Sequence, residues 1–147
     1  MAENLINDLL KTIEIKENVE IKDINTYSPL TLAYIGDAIY ELIIRTMVIS
    51  KGDRQVGKLH KESSELVKAS TQAEISKSLK DILTEEEERV FKRGRNAKSF
   101  TTAKNASMSD YRTATGFEAL MGYLYLSHQS DRMLELINTG LKNINYV

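Results

Sequence analysis

Ser28-Pro29 opens a stretch, residues 29–49, whose only charges are Asp37, Glu41 and Arg45 and whose remaining side chains are apolar on nearly every side of a helix. The serine hydroxyl suits the capping position, and proline suits the first helical position, where its missing N–H costs nothing. A helix apolar all round cannot lie on a surface, so it is predicted to be the central buried helix of an all-α fold. Its apolar content exceeds what a few surrounding helices of this length can cover, and a second copy of the chain is expected to cover the rest as a homodimer. Asp37 and Glu41 keep every apolar run short of the ~18 residues that a membrane span needs.

The rest of the sequence fits around such a helix. Leu5, Ile6, Leu9 and Leu10 give a short amphipathic helix over about 3–11, and residues 12–27 carry no clear period. Lys51-Gly52-Asp53 is expected to end the central helix and cap the next. Residues 54–80 are helical in composition, with Val56, Leu59, Leu66, Val67, Ala73, Ile75 and Leu79 inward and a possible break at 69–71. Thr84-Glu85-Glu86-Glu87 is a capping box that opens a helix running to about Asn96. Asp110 is expected to cap a second strongly apolar helix ending near Ser127, and a last helix covers 130–144. With one proline and seven glycines among 147 residues there is little punctuation for strands. A single domain over 1–147 is the natural reading of this length. There is no cysteine, so disulfides and Cys-based zinc sites are excluded, and a reducing cytoplasm is compatible. The acidic N-terminus has no basic region before an apolar core and does not read as a secretory signal.

A net charge of −1 conceals blocks of one sign. Residues 81–88 hold five acids and no base, whereas 89–109 hold six bases and no acid. A local positive field attracts polyanions whatever the total charge. Favourable interactions with a helix dipole alone would account for Glu85 to Arg95, but not for Lys98 and Lys104 beyond the helix end.

Two carboxylates sit where carboxylates are costly. LAYIGDAIYELII places Asp37 inside an apolar run, and TGFEALMGYLYL does the same to Glu118. Asp37, Glu41 and Arg45 form one stripe at i, i+4 and i+8, while Arg112, Thr115 and Glu118 form another. Two readings stand side by side. The stripes could face each other and hold Mg²⁺ or Mn²⁺ through hard oxygens, or Asp37–Arg45 and Arg112–Glu118 could be internal salt bridges of a tight bundle. Gly36, Gly116 and Gly122 flank the acids and point to close helix approach or room for a ligand.

These segments have a family resemblance. LAYIGDAIYE resembles the Gly-Asp-Ala motif of ribonuclease III domains, and GFEALMGYLYL resembles the helix that supplies their second essential carboxylate. KRGRNAKSFTTAKN, YRTATGFEAL and LHKESSELVKASTQAEI are similar to the Mini-ribonuclease III branch, so that the resemblance covers about residues 28–127. It implies an all-α, homodimeric endonuclease that hydrolyses double-stranded RNA with Mg²⁺ (Mn²⁺ as substitute) and has no separate double-stranded-RNA-binding domain. The branch's task is maturing the ends of large-subunit ribosomal RNA precursors in the cytoplasm. Asp37 and Glu118 match the catalytic, metal-holding carboxylates.

Two further acids of full-length ribonuclease III enzymes are replaced here by Ala33 and Thr115, a thinning that the Mini branch shares. Glu41 and Thr115 are candidates for an outer shell, with pairing to Arg45 or to a partner subunit the more ordinary role for Glu41. Lys92, Arg93, Arg95, Asn96, Lys98 and Lys104 are candidates to grip RNA phosphates, since duplex RNA is read mainly by shape and charge. Arg54, Lys58, Lys61 and Lys68 read mostly as a solvated face. His60 and His128 stand alone as helix-surface and helix-end residues, and Tyr111, Tyr123 and Tyr125 as core. The rival reading is a catalytically inactive ribonuclease III-like RNA-binding or ribosome-associated protein. Retention of both acids argues against it.

Overall fold

Seven α-helices organise residues 9–98 and 107–146, which this computed structural model describes, and no strand occurs among them. They are α1 (Leu9–Lys16), α2 (Pro29–Ile49), α3 (Val56–Val67), α4 (Ala69–Ser78), α5 (Glu85–Asn96), α6 (Met108–Leu126) and α7 (Ser130–Asn143). The all-α reading is therefore borne out. Of the segment expected as the opening helix, residues 3–8 lie outside the described residues and 9–11 begin α1, which continues to Lys16 through a stretch in which no period was legible.

Helix ends follow local chemistry, with three corrections. Ser28 caps α2 as expected, its Oγ accepting from the Thr31 N–H at 3.1 Å. The chain then turns at Gly52, where φ is +126°, but Asp53 does not cap α3: Gln55 occupies that position and makes no side-chain cap bond. The break between α3 and α4 falls at Lys68, one residue ahead of the expected 69–71, because Lys68 is extended (ψ 157°). α6 is capped by Ser107, whose Oγ accepts from the Asp110 N–H at 3.0 Å, so Asp110 lies inside the first turn rather than before it. The capping box of α5 is complete, with Thr84 and Glu87 each bonded to the other's backbone N–H. Glu87 also receives two bonds from Arg132, at 2.8 and 2.9 Å, which tie the start of α5 to α7.

α2 packs most extensively on α6, α5 and α4 flank α6, α3 lies on α2, and α7 closes over α4 and α6. The core joins Tyr40, Ile44 and Val48 of α2 to Phe117, Leu120 and Leu124 of α6, with Ile75 of α4, Leu79 just after it, and Leu136 and Ile137 of α7 behind them. At the centre the two backbones touch. A Cβ on Gly36 would lie 1.7 Å from the Glu118 carbonyl oxygen, and one on Gly122 would lie 2.0 Å from that of Leu32. The glycines thus serve close helix approach.

The expectation that α2 is buried all round needs correction. Tyr34 (81% exposed), Leu42 (51%) and Ile49 (58%) are bare within one chain, and so is Asp37. The described helices cover one side of α2 only. α6, in contrast, is enclosed almost continuously from Thr113 to Tyr125.

Candidate active site

The backbone contact between α2 and α6 determines where their acids meet. Asp37 follows the Gly36 that touches the Glu118 carbonyl, and the two carboxyl groups lie within hydrogen-bond reach of each other. They share an open cleft of about 610 Å³ with Leu30, Ala33, Tyr34, Ala38, Tyr111 and Thr115. The two acids differ in setting: Asp37 stands exposed at the rim, while Glu118 is mostly withdrawn from solvent. Burial, followed by the charge of Asp37, pushes the Glu118 carboxyl well above the usual carboxylate range.

The salt-bridge alternative is not realised. Arg45 bonds Glu41 through Nε and Nη2 at 2.9 and 2.5 Å, so that Asp37 pairs with no cation among the described residues, and Arg112 is exposed with no ion pair to Glu118. The partner of Glu118 is Gln72, whose Nε2 donates to Oε2 at 3.1 Å. Glu41 is thus occupied by Arg45 and does not line the cleft, whereas Thr115 does, with its hydroxyl donating to the Tyr111 carbonyl at 3.0 Å. Tyr111, expected as core, is also a wall of the cleft.

The donor set fits a hard divalent cation. Two carboxylates that repel each other present oxygens to an open, partly polar cleft, and a dication between them would remove the repulsion. No three or more His, Cys, Asp or Glu side chains are arranged to hold a metal ion together among the described residues, so water and phosphate oxygens would complete the coordination.

Gln72 and Tyr40 escaped the sequence reading. Gln72 lies three and seven residues before Ile75 and Leu79, on the inward face of α4, and a glutamine at an inward position was the available signal. Tyr40 is fully buried, packs edge-on against Phe117 at 5.3 Å and feels the charge of Glu118. Its hydroxyl donates to the Leu66 carbonyl at 2.8 Å.

The described part of the basic block lies on α5 and just beyond its end, and α5 packs on α6. α5 meets α6 through Gly94, where a Cβ would lie 2.7 Å from that of Ala119 and 3.2 Å from the Thr115 carbonyl, on the turn that carries Glu118. The last turn of α5 therefore packs against the part of α6 that carries Glu118, although no α5 residue lines the cleft itself. Arg93, Asn96 and Lys98 are exposed, Lys92 pairs with Glu88 at 2.9 Å, and Arg95 lies over the Phe91 ring and bonds Asn96. Lys104 lies outside the described residues, as do Phe100 and Asn105. Lys77 and Lys80, not singled out in the sequence, join Lys92 and Arg95 around a hollow of about 410 Å³. On α3 and its approach, Lys58 and Lys61 are exposed and Lys68 pairs with Glu65, as befits a solvated face, whereas Arg54 is partly buried and bonds Glu62 and the Val48 carbonyl. His60 is exposed on α3, and His128 is a left-handed residue after α6.

Comparison with known proteins gives a consistent picture. The family model for the ribonuclease III domain matches residues 30–129. A Mini-ribonuclease 3 of Clostridium tetani is 53% identical over 117 residues, covering 79% of this chain and 78% of its own. One from Enterococcus faecalis is 48% identical over 126 residues, with 84% and 96% covered. A crystal structure of a Fusobacterium nucleatum protein superposes with a TM-score of 0.76 at 34% identity, covering 83% of this chain and 99% of that one.

Proposed function

The chain belongs to the ribonuclease III family, in its Mini-ribonuclease 3 branch, and from that premise we propose that this endoribonuclease cleaves double-stranded RNA with Mg²⁺ as a homodimer. The observation that carries the proposal is the meeting of Asp37 and Glu118, from two helices, in one open cleft. These two carboxylates would hold the metal, with Mn²⁺ as an alternative. When bound, such an ion polarises a phosphoryl oxygen and lowers the pKa of water. The chain itself brings the two acids together through a glycine contact, walls one side with Leu30, Ala33 and Tyr34, and places Thr115 and Tyr111 on the other. Glu41, held by Arg45, takes no direct part.

Phosphates of the duplex would be gripped by Lys92, Arg93, Arg95, Asn96, Lys98 and Lys104. The contact of α5 with the Glu118 turn supports this assignment, as does the absence of any ion pair to Arg93 or Lys98 among the described residues. The bare stripe of Leu30, Tyr34, Leu42 and Ile49 supports a second copy packed along α2. No described helix is long and apolar enough to cross a membrane, and the natural substrate we assign is the precursor of large-subunit ribosomal RNA in the cytoplasm.

The test is cleavage of a perfect RNA duplex with Mg²⁺ and with chelator. Cutting that requires the metal, and is lost in Asp37→Asn while the variant still binds duplex, is the expected result. Metal-independent cutting would refute the assignment. Replacing Arg93, Arg95 and Lys98 together by Ala should weaken duplex binding and flatten its salt dependence.

A further inference from the structure

Gln72 is a fully buried side chain whose hydrogen bonding is at once directed and incomplete. It is 2% exposed on the first turn of α4. Its Nε2 donates to the Glu118 carboxylate at 3.1 Å and to the Val67 carbonyl at 2.8 Å, while its Oε1 is buried without a hydrogen-bond partner. The orientation of the amide is fixed by these contacts. The NH₂ group has two N–H donors and faces two acceptors; turned over, Oε1 would oppose a carbonyl and a carboxylate. The cost of the arrangement is one buried oxygen left unsatisfied, which a fold selected for stability alone would avoid.

The second anchor explains why a glutamine on α4 can control a carboxylate on α6. α3 stops at Val67, so its last carbonyls have no partner within the helix. Three side chains satisfy them: Thr71 bonds the Glu65 carbonyl at 2.6 Å, Tyr40 that of Leu66, and Gln72 that of Val67. Gln72 is thereby pinned to the α3–α4 bend, a backbone feature, and what it pins in turn is Oε2 of Glu118. The Glu118 carboxylate so held lines the cleft together with Asp37.

We propose that Gln72 is a positioning residue for metal binding: anchored on the Val67 carbonyl, it holds Glu118 in the rotamer in which one carboxylate oxygen faces the cleft beside Asp37. The proposal rests on the reading of Asp37 and Glu118 as metal-holding acids. A buried carboxylate beside another acid would otherwise turn away or take a proton. Outer partners of metal ligands commonly change affinity by about 10–100-fold when removed.

The experiment is a Mn²⁺ titration followed by electron paramagnetic resonance on the full chain, with the melting temperature in chelator and the Mg²⁺ dependence of duplex cleavage measured in parallel. Gln72→Leu removes both the donor and the unsatisfied oxygen. It should bind Mn²⁺ about 10–100-fold more weakly and need correspondingly more Mg²⁺ for half-maximal cleavage. Its rate at saturating Mg²⁺ should largely return, and its melting temperature in chelator should be unchanged or higher. Gln72→Met, which keeps the length of the side chain, should behave alike and answers for the leucine if that variant fails to fold. Wild-type Mn²⁺ affinity with a lowered melting temperature would overturn the proposal and leave Gln72 a structural tie; failure of both variants to fold would overturn it too. Asp37→Asn and Glu118→Gln in the same titration separate the two claims. If they keep full Mn²⁺ affinity, the metal-holding acids are wrongly assigned; if they lose it while Gln72→Leu does not, only the positioning role falls.

Discussion

α2 and α6 each carry one carboxylate inside an apolar run, yet Glu118 is walled in by its own chain whereas Asp37 stands at an edge with Tyr34, Leu42 and Ile49 bare along the same helix. Apolar sequence alone does not distinguish these outcomes. It says how much surface must leave water, but not which molecule supplies the cover. α6 is completed by α2, α4, α5 and α7 of the same chain. On the reading given above, α2 is completed by a second copy. The active site then lies where intrachain packing stops, with one acid on each side of that line.

The strongest way to break this comparison is to remove each charge in turn. Asp37→Asn and Glu118→Gln should each slow cleavage by about a thousandfold or more, as several kcal/mol of charge stabilisation implies. In chelator neither variant should melt below wild type, since each removes the repulsion between the two acids. Substantial turnover by either variant would remove that helix from the site.

Next in size is the contact that brings the helices together. Gly36→Ala drives a methyl group into the Glu118 backbone and should cost about 3 kcal/mol or more, seen as loss of the folded state in urea. Gly57→Ala on α3, where nothing lies within 4 Å, should instead stabilise by about 0.5–1 kcal/mol. Equal effects at both positions would mean that Gly36 matters only for helix propensity.

Tyr34→Asp addresses the bare side of α2. An interface residue of this exposure is expected to contribute about 2 kcal/mol, so sedimentation should show dimer association weakened about thirtyfold with the protomer still folded. An unchanged association constant would move the dimer contact elsewhere.

The smallest expected effects are in pH dependence, and here two glutamates should behave oppositely. Burial and the charge of Asp37 push the Glu118 carboxyl up to about 8. Without metal, its contribution to stability is therefore full below its unfolded value, near 4.5, and is lost as pH rises through about 8. Glu62 is pulled down to about 2 by Lys51, Tyr146 and Arg54, so its contribution is present above about 4.5 and is lost as pH falls toward 2. Glu118→Gln should flatten the alkaline side of the stability profile and Glu62→Gln the acid side. The reverse pattern would contradict both environments.

Much of this was legible in the residues. The boundaries of α2 and α5 follow from Ser28-Pro29 and the Thr84–Glu87 box, because capping is local chemistry that a few adjacent side chains complete. Asp37 and Glu118 stood out because acids inside apolar runs need a reason. The cap of α6 was misplaced because Ser107 and Asp110 are both capable and only the backbone decides between them. Gln72 was missed since its role depends on a carbonyl exposed by a helix break and on a carboxylate 46 residues away. Neither is written at position 72. The exposure of Asp37 was hidden because an apolar run does not say which of its faces the same chain covers.

The backbone contact at Gly36 and Gly122 has a further consequence. Because main chain rests against main chain, α2 and α6 meet at a hard stop, and the spacing of the acids does not depend on how well the surrounding leucines and isoleucines fill space. Conservative exchange of Ile44, Leu120 or Leu124 should soften the core while leaving the gap between the carboxylates unaltered. Stability and active-site geometry are thereby separate design variables in this chain: the hydrophobic interior is open to redesign for heat tolerance, while the two glycines act as a gauge that such changes do not reset.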